Sequence, residues 1–169
     1  MIGSGDRRFT GSREVASYDP SALPSVSWID DRAPDIDVEH WPLLVDGAPV
    51  DVAAWRSRTV PIDADLDCTG GWWSRHRWDV VRLSDVVDVG GARSVAISSA
   101  TGYRRIFPAG DAAEIYLAFG YDGVPLRRRH GAPVRVVAPG RRGFWWVKWV
   151  TDIETTDRPW WLQLPFPPT

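Results

Sequence analysis

Short strand-like segments, separated by glycine and proline, dominate this sequence from residue 41 to residue 151. In the clearest segment Val60, Ile62, Ala64 and Leu66 alternate with polar residues, which predicts a half-buried strand. Helical patterns are short, with one helix expected after residue 83 and a turn or two at 111–116. The sequence therefore predicts an α+β fold, β-rich, with mixed sheets and short helices. Further strands are predicted at 41–45, 94–99, 104–107, 117–121, 134–138 and 144–151.

The length of 169 residues fits one domain spanning residues 1–169. Residues 1–40 are rich in Pro, Asp and Ser and are expected to form an extended arm. Residues 155–169 are expected to form a Pro-rich surface tail. The start of the chain lacks the apolar stretch of a signal peptide, so we expect the chain as given to be soluble. Localisation stays open, because a periplasmic or membrane-associated protein with a further N-terminal segment also fits.

The net charge of -2 conceals an asymmetry between the two parts of the chain. Residues 1–67 carry 6 basic and 13 acidic side chains, whereas residues 68–169 carry 14 basic and 9 acidic ones. The arginine clusters form either a solvated basic face or a positive rim that attracts an anion, and both interpretations stay open. The pI near 5.9 argues against a nucleic-acid-binding protein.

Cys68 is the only cysteine, and it lies between a predicted strand and Thr69-Gly70-Gly71. A lone cysteine is usually a small buried apolar residue, but a loop position suits a ligand or a nucleophile better. Nothing marks the oxyanion hole of a cysteine protease, and three scattered histidines are too few for a zinc site, namely His40, His76 and His130. One thiolate is sufficient when the cofactor brings the other donors, as a dithiolene does.

Lys148 lies within an aromatic segment that is predicted to be a strand, Phe144 to Val150. A buried ammonium is costly unless it is paired. The lysine therefore either reaches a strand edge or an aspartate, or it neutralises a phosphate or a pterin oxygen.

His130 and Arg135 stand five residues apart across a Gly-Ala-Pro turn. Spacing alone favours a surface turn with an ordinary ion pair. Asp63, Asp65 and Asp67 share one face of the strand before Cys68, and a solvated face is the preferred interpretation.

Three segments together resemble the molybdopterin-binding domain of the sulfite oxidase family, which includes bacterial periplasmic methionine sulfoxide reductase catalytic subunits. The resemblance runs from about residue 9 to residue 154, and its most specific parts are 66–71, 130–140 and 146–149. It implies that Cys68 is the catalytic thiolate and the molybdenum ligand. It also implies contacts to the molybdenum–molybdopterin cofactor from Thr10, Arg13, Glu14, Ser99, His130, Arg135, Trp146, Val147 and Lys148.

The resemblance implies a molybdenum-dependent oxidoreductase that transfers an oxo group to or from a small substrate. Electrons would be exchanged with a separate redox protein, for which a membrane cytochrome is a candidate. Trp72 and Trp73 stand where true sulfite oxidases carry a basic stretch, which argues against sulfite as the substrate. The alternative is that Arg75, Arg104 and Arg127 supply the positive charge from elsewhere in the chain. The alternative function is a non-catalytic binding or interaction module that uses the eleven tryptophans. A domain that keeps Cys68 but binds no metal is a third possibility.

Overall fold

Two β-sheets organise the chain in the computed structural model, which describes residues 7–26, 32–35, 37 and 40–164. The six-stranded sheet contains β1 (Arg13–Glu14), β4 (Val60–Asp67), β5 (Trp72–Arg82), β8 (Tyr116–Tyr121), β9 (Val124–Pro125) and β10 (Arg135–Val137). The five-stranded sheet contains β2 (Leu44–Val45), β3 (Ala48–Pro49), β6 (Ser94–Ser99), β7 (Arg104–Pro108) and β11 (Val150–Thr156).

The first sheet has the order β1-β5-β8-β10, with β4 also paired to β5 and β9 to β8. The second has the order β3-β2-β11-β6-β7. One cluster of buried apolar side chains joins the two sheets and includes Val80, Leu117, Ile97 and Ile153. Burial of such a side chain contributes about 1.5–3 kcal/mol, so this shared core holds the sheets together.

Helices are few and short in the described ranges. Helix α1 (Val52–Arg56) begins at Asp51, whose carboxylate accepts hydrogen bonds from the amides of Ala53 at 2.9 Å and Ala54 at 3.1 Å. Four single turns of 3-10 helix lie at Leu83–Asp85, Ala109–Asp111, Arg128–His130 and Gly143–Trp145. The predicted β-rich α+β class with mixed sheets is confirmed.

Most predicted strands are present, but the longest strand was not predicted. The strands predicted at 60–66, 94–99, 104–107, 117–121 and 134–138 are present as β4, β6, β7, β8 and β10. The strand predicted at 41–45 shortens to β2, and the helix predicted after residue 83 shortens to a single turn. Along β5, Ser74, His76 and Trp78 are buried while Arg75 and Arg77 are exposed. Because the buried residues Ser74 and His76 are polar, β5 lacks the alternation of apolar and polar residues that would have predicted a strand.

The outer face of the β4–β5 pair carries cross-strand ion pairs. Arg75 Nε lies 2.6 Å from an Asp65 oxygen, and Arg77 Nε lies 3.4 Å from Asp63. The register places each arginine opposite its aspartate. This basic pair therefore neutralises acidic residues of the neighbouring strand, and exposed pairs of this kind stabilise a fold by at most about 1 kcal/mol.

The prediction of a strand at 144–151 is wrong. Residues 143–145 form a turn of 3-10 helix, Trp149 has a φ of +51°, and β11 begins only at Val150. The indole N–H of Trp146 donates to Arg141 O at 3.1 Å, and that of Trp149 donates to Arg128 O at 2.7 Å. Buried indoles need such partners, and these carbonyls hold the segment in a loop.

The predicted arm and tail are described only in part. Residues 1–6, 27–31, 36, 38–39 and 165–169 lie outside the described residues. Strand β1 lies within the predicted arm, and β11 ends two residues into the predicted tail. The division of the chain into arm, domain and tail stays a prediction. No helix in the described ranges is long and apolar enough to cross a membrane.

Candidate functional site

A cleft opens beside Cys68, where β4 ends. Its empty volume is about 670 Å³, part of which is open to solvent. Pro24 and Val26 of the N-terminal segment form part of one wall, and Trp72 and Tyr103 also line the space. The predicted site residues that line this cleft are Cys68, His130, Arg135, Trp146, Val147 and Lys148.

The turn after β4 holds Cys68 at the cleft wall, and the residue is 8% exposed. The Cys68 amide donates to Trp72 O at 2.8 Å, and the Gly71 amide donates to Cys68 O at 3.2 Å. The Gly70 amide lies 3.4 Å from Sγ and points toward the sulfur.

Thr10 does not line the cleft. Its hydroxyl donates to Asp67 Oδ2 at 2.8 Å, and the Ser12 hydroxyl donates to Asp67 Oδ1 at 2.6 Å. Asp67 is only 7% exposed, so the prediction of a solvated carboxylate is wrong for this residue. Asp67 is the last residue of β4 and is buried, whereas Asp63 and Asp65 pair with the exposed arginines Arg77 and Arg75 of β5.

Three other predicted contacts also lie outside the cleft lining. The Arg13 amide donates to Gly71 O at 3.0 Å, and the Glu14 carboxylate accepts a hydrogen bond from Ser17 at 2.6 Å. The Ser99 hydroxyl is buried against that of Thr101, 3.0 Å away. Their roles toward a cofactor stay predictions.

His130 is 1% exposed and both ring nitrogens have partners. Nε2 lies 3.1 Å from Leu23 O, so it carries the proton, and Nδ1 accepts the Tyr121 hydroxyl at 2.6 Å. Burial, followed by the positive charge of Arg135, lowers the pKa of His130 to about 3. The imidazole is therefore neutral, and it ties the N-terminal segment to the cleft wall.

Arg135 is a buried cation, 2% exposed. Its guanidinium donates to backbone carbonyls, most closely to His130 O at 2.9 Å, and no carboxylate of the described residues pairs with it. Burial lowers its pKa to about 10, so it keeps its charge at neutral pH. A buried charge without a counterion is costly. An anionic group in the cleft would offset that cost.

Lys148 lies at the rim of the same cleft. Its amine donates to Arg129 O at 3.0 Å, Val26 O at 3.1 Å and the Ser25 hydroxyl at 3.3 Å. The amine therefore reaches the N-terminal segment instead of a strand edge, and it lies where the cleft meets that segment.

Gly131 allows the two cations to pack side by side. Its φ is +106°, and a Cβ there would lie 3.0 Å from Arg135 Cβ and 3.1 Å from Lys148 Cβ. A side chain at this position would be strained and would displace both neighbours.

The donor set fits a molybdopterin. It combines one thiol at the wall, a buried guanidinium that no carboxylate of the described residues pairs with, and an amine at the rim. In the ranges described, no group of three or more His, Cys, Asp or Glu is placed to hold a metal ion. Molybdenum is bound by soft sulfur donors, which the pterin dithiolene and one thiolate provide together.

Comparison with known proteins establishes the protein family to which this chain belongs. The model of the oxidoreductase molybdopterin binding domain matches residues 31–162. This chain belongs to that family, so the predicted cofactor and the predicted class of oxidoreductase are confirmed at the level of the family.

Individual relatives cover only parts of the chain. The mitochondrial sulfite oxidase of Mus musculus is 36% identical over 101 residues, which are 50% of this chain and 18% of that protein. Nitrate reductase [NAD(P)H] of Hordeum vulgare is 34% identical over 87 residues, 44% of this chain and 10% of that protein. The uncharacterized oxidoreductase YuiH of Bacillus subtilis is 31% identical over 100 residues, 54% of this chain and 50% of that protein.

A solved structure resembles the fold. The sulfane dehydrogenase SoxCD of Paracoccus pantotrophus superposes with a TM-score of 0.66 at 22% identity, covering 75% of this chain and 40% of the SoxCD chain. The likeness shows that the two share a fold.

Sequence reasoning did not find the residues that support the predicted ones. Tyr121, which donates to His130, was expected only as a strand residue before a turn. Arg141 and Arg142 form one of the arginine clusters of the sequence, yet the Arg142 guanidinium donates to Cys68 O at 3.0 Å. A signal for either role would require knowledge of the pairing of distant strands and loops.

Proposed function

We propose that this chain is the cofactor-binding domain of an oxidoreductase that transfers an oxo group to or from a small substrate. A separate redox protein would exchange electrons with it. The observation that carries the proposal is that the only thiol of the chain and a buried arginine without a carboxylate partner in the described residues line one cleft. Family membership supports the same conclusion.

Different residues of the cleft would bind different parts of the cofactor. Cys68 would supply the thiolate to molybdenum, and the bound cofactor supplies a metal centre that exchanges two electrons with substrate. Arg135 and Lys148 would hold the anionic part of the pterin, since both are cations at the cleft. Trp72 and Trp146 line the space with indole surface, which excludes water from the site.

The arginines outside the cleft are relevant to whether the substrate is sulfite. Arg75 pairs with Asp65, and Arg104 Nη2 lies 2.7 Å from a Glu154 oxygen. None of Arg75, Arg104 and Arg127 lines the cleft. These pairings support the expectation that the substrate is not sulfite, because a dianion is usually held by arginines.

The test is to produce the chain in a molybdenum-replete host and to measure molybdenum and pterin per protein. We expect near-stoichiometric amounts of both, strongly reduced metal in Cys68→Ser, and reduced pterin in Arg135→Met. Arg104→Met is the matched control, because it removes an arginine outside the cleft. Absence of metal and pterin from the wild-type chain, or unchanged redox activity in Cys68→Ser, would overturn the proposal.

The alternative of a non-catalytic tryptophan platform has less support. Trp73 is 8% exposed, Trp72 lines the cleft, and Trp145 lies between Arg105 and Arg141 at 4.3 and 4.6 Å. The platform was expected to use Trp72, Trp73, Trp145 and Trp160, and of these only Trp160 is exposed, at 39%, next to Trp161 at 65%. A platform needs several exposed rings in line.

A further inference from the structure

We propose that Arg142 and Asp67 form a clamp that positions the Cys68 thiol, and this inference rests on the proposed function of Cys68. The clamp contacts the backbone carbonyl of Cys68 and the carboxylate of Asp67. Neither clamp residue lines the cleft, so both act as positioning residues and not as ligands.

Arg142 joins the two ends of the clamp. One Nη donates to Cys68 O at 3.0 Å, and Nε lies 3.8 Å from Asp67 Oδ1. That Nε is buried and has no hydrogen-bond partner among the described residues, so its interaction with Asp67 is one of charge. The guanidinium therefore fixes residue 68 through its carbonyl and residue 67 through its carboxylate.

Asp67 fixes the clamp to the N-terminal segment. Its two oxygens accept hydrogen bonds from Ser12 at 2.6 Å and from Thr10 at 2.8 Å. Ser12 is fully buried, and its hydroxyl also lies 3.5 Å from Cys68 O. A carboxylate with two hydroxyl donors and a neighbouring cation is well compensated, so Asp67 is a rigid anchor.

The loop that carries Arg142 packs directly on Cys68. Asp67 and Arg142 form a parallel backbone bridge. A Cβ on Gly143 would lie 3.2 Å from Cys68 Cα and 3.4 Å from Asp67 O. The two loops therefore touch at backbone distance, and a shift of the Arg142 loop would move the thiol.

The clamp gives Thr10 a role that differs from the implied one. The resemblance implies that Thr10 contacts the pterin, whereas its hydroxyl here reaches the carboxylate next to the thiol. The N-terminal segment would thus support Cys68 indirectly, through hydrogen bonds to the neighbouring Asp67.

The experiment uses the absence of any second cysteine, since alkylation by iodoacetamide then reports on Cys68 alone. The full chain is made in a host that cannot produce molybdopterin, and folding is checked by circular dichroism. We expect Arg142→Met to raise the alkylation rate by about tenfold, because the turn loses a charged hydrogen bond and opens more often. Arg142→Lys should restore most of the protection.

Arg141→Met is the matched control. Arg141 is the neighbouring residue, its side chain is 25% exposed against 31% for Arg142, and it has its own ion pair with Asp111. We expect its alkylation rate to stay within about twofold of the wild type, because it does not contact Cys68. Equal rates for the two methionine variants would overturn the clamp.

Thr10→Val and Ser12→Ala keep the proposal testable if Arg142→Met does not fold. Each removes one donor to Asp67, and we expect the alkylation rate to rise about threefold in each. Rates equal to the wild type in both would overturn the clamp. Should the wild-type chain take up no molybdopterin, the proposed function fails, whereas the alkylation rates still decide whether the clamp exists.

Discussion

The neutral state of His130 makes the stability of this protein depend on pH. The imidazole is 1% exposed and donates from Nε2 to Leu23 O. Arg135, Arg129 and Lys148 all oppose its protonation, and burial is the largest cause of its pKa of about 3. An unfolded histidine has a pKa of about 6.5.

Between these two pKa values the unfolded chain binds a proton that the folded chain does not. The contribution is fully present above the unfolded pKa, and it is lost as the pH falls toward 3. From pH 7.5 to pH 5.0 the free energy of unfolding should fall by about 2 kcal/mol through this residue alone. The loss should level off only near pH 3.

The assay is urea unfolding followed by tryptophan fluorescence at pH 7.5 and pH 5.0, for the wild type and for His130→Gln. Other titrating groups contribute equally to both proteins, so the difference between their pH dependences isolates His130. We expect the wild type to lose about 2 kcal/mol more than the variant over this interval. Parallel pH dependences would refute the assignment of a neutral, buried imidazole.

Three further substitutions test the packing of the site and the fold. Gly131→Ala should destabilise the chain by about 1–3 kcal/mol more than Gly123→Ala in urea unfolding. Both have positive φ, but nothing lies within 4 Å of a Cβ at Gly123, so equal losses would contradict the contact with Arg135. Asp51→Ala should lower the unfolding free energy by about 1 kcal/mol through loss of the α1 cap, and no change would show that the cap is unimportant. Arg135→Met should leave the cofactor-free chain equally stable or up to about 4 kcal/mol more stable, whereas a large loss would mean that the cation already has a counterion.

The sequence predicts the fold wherever burial follows a simple period. Strands β4, β6 and β8 were predicted because apolar residues alternate or cluster between turn signals. Strand β5 was missed because Ser74 and His76 are polar and yet face inward. The segment at 144–151 was misassigned because the indole of Trp149 is satisfied by a distant carbonyl, which no local pattern encodes.

The candidate site shows the same division between local and distant information. Cys68 and Arg135 belong to continuous motifs, and the structure brings both to one cleft. Arg142 stands 74 residues from Cys68 in sequence, and it meets that residue only because two loops pair. A single sequence contains the residues of such a contact but not the contact itself.

Two energetically unfavourable features lie in the segment 130–135, beside the Cys68 thiol. Arg135 is a buried cation without a carboxylate partner in the described residues, and burial keeps His130 neutral. Gly131 has a φ of +106°, which glycine adopts without strain but which other residues rarely adopt. None of these features stabilises the chain by itself, and such departures from local rules cluster at functional sites. An anion bound in the cleft would offset the charge of Arg135, and the same glycine lets that arginine lie beside Lys148. This arrangement supports the proposed binding of an anionic group in the cleft, because a core selected only for stability would place an apolar residue at position 135.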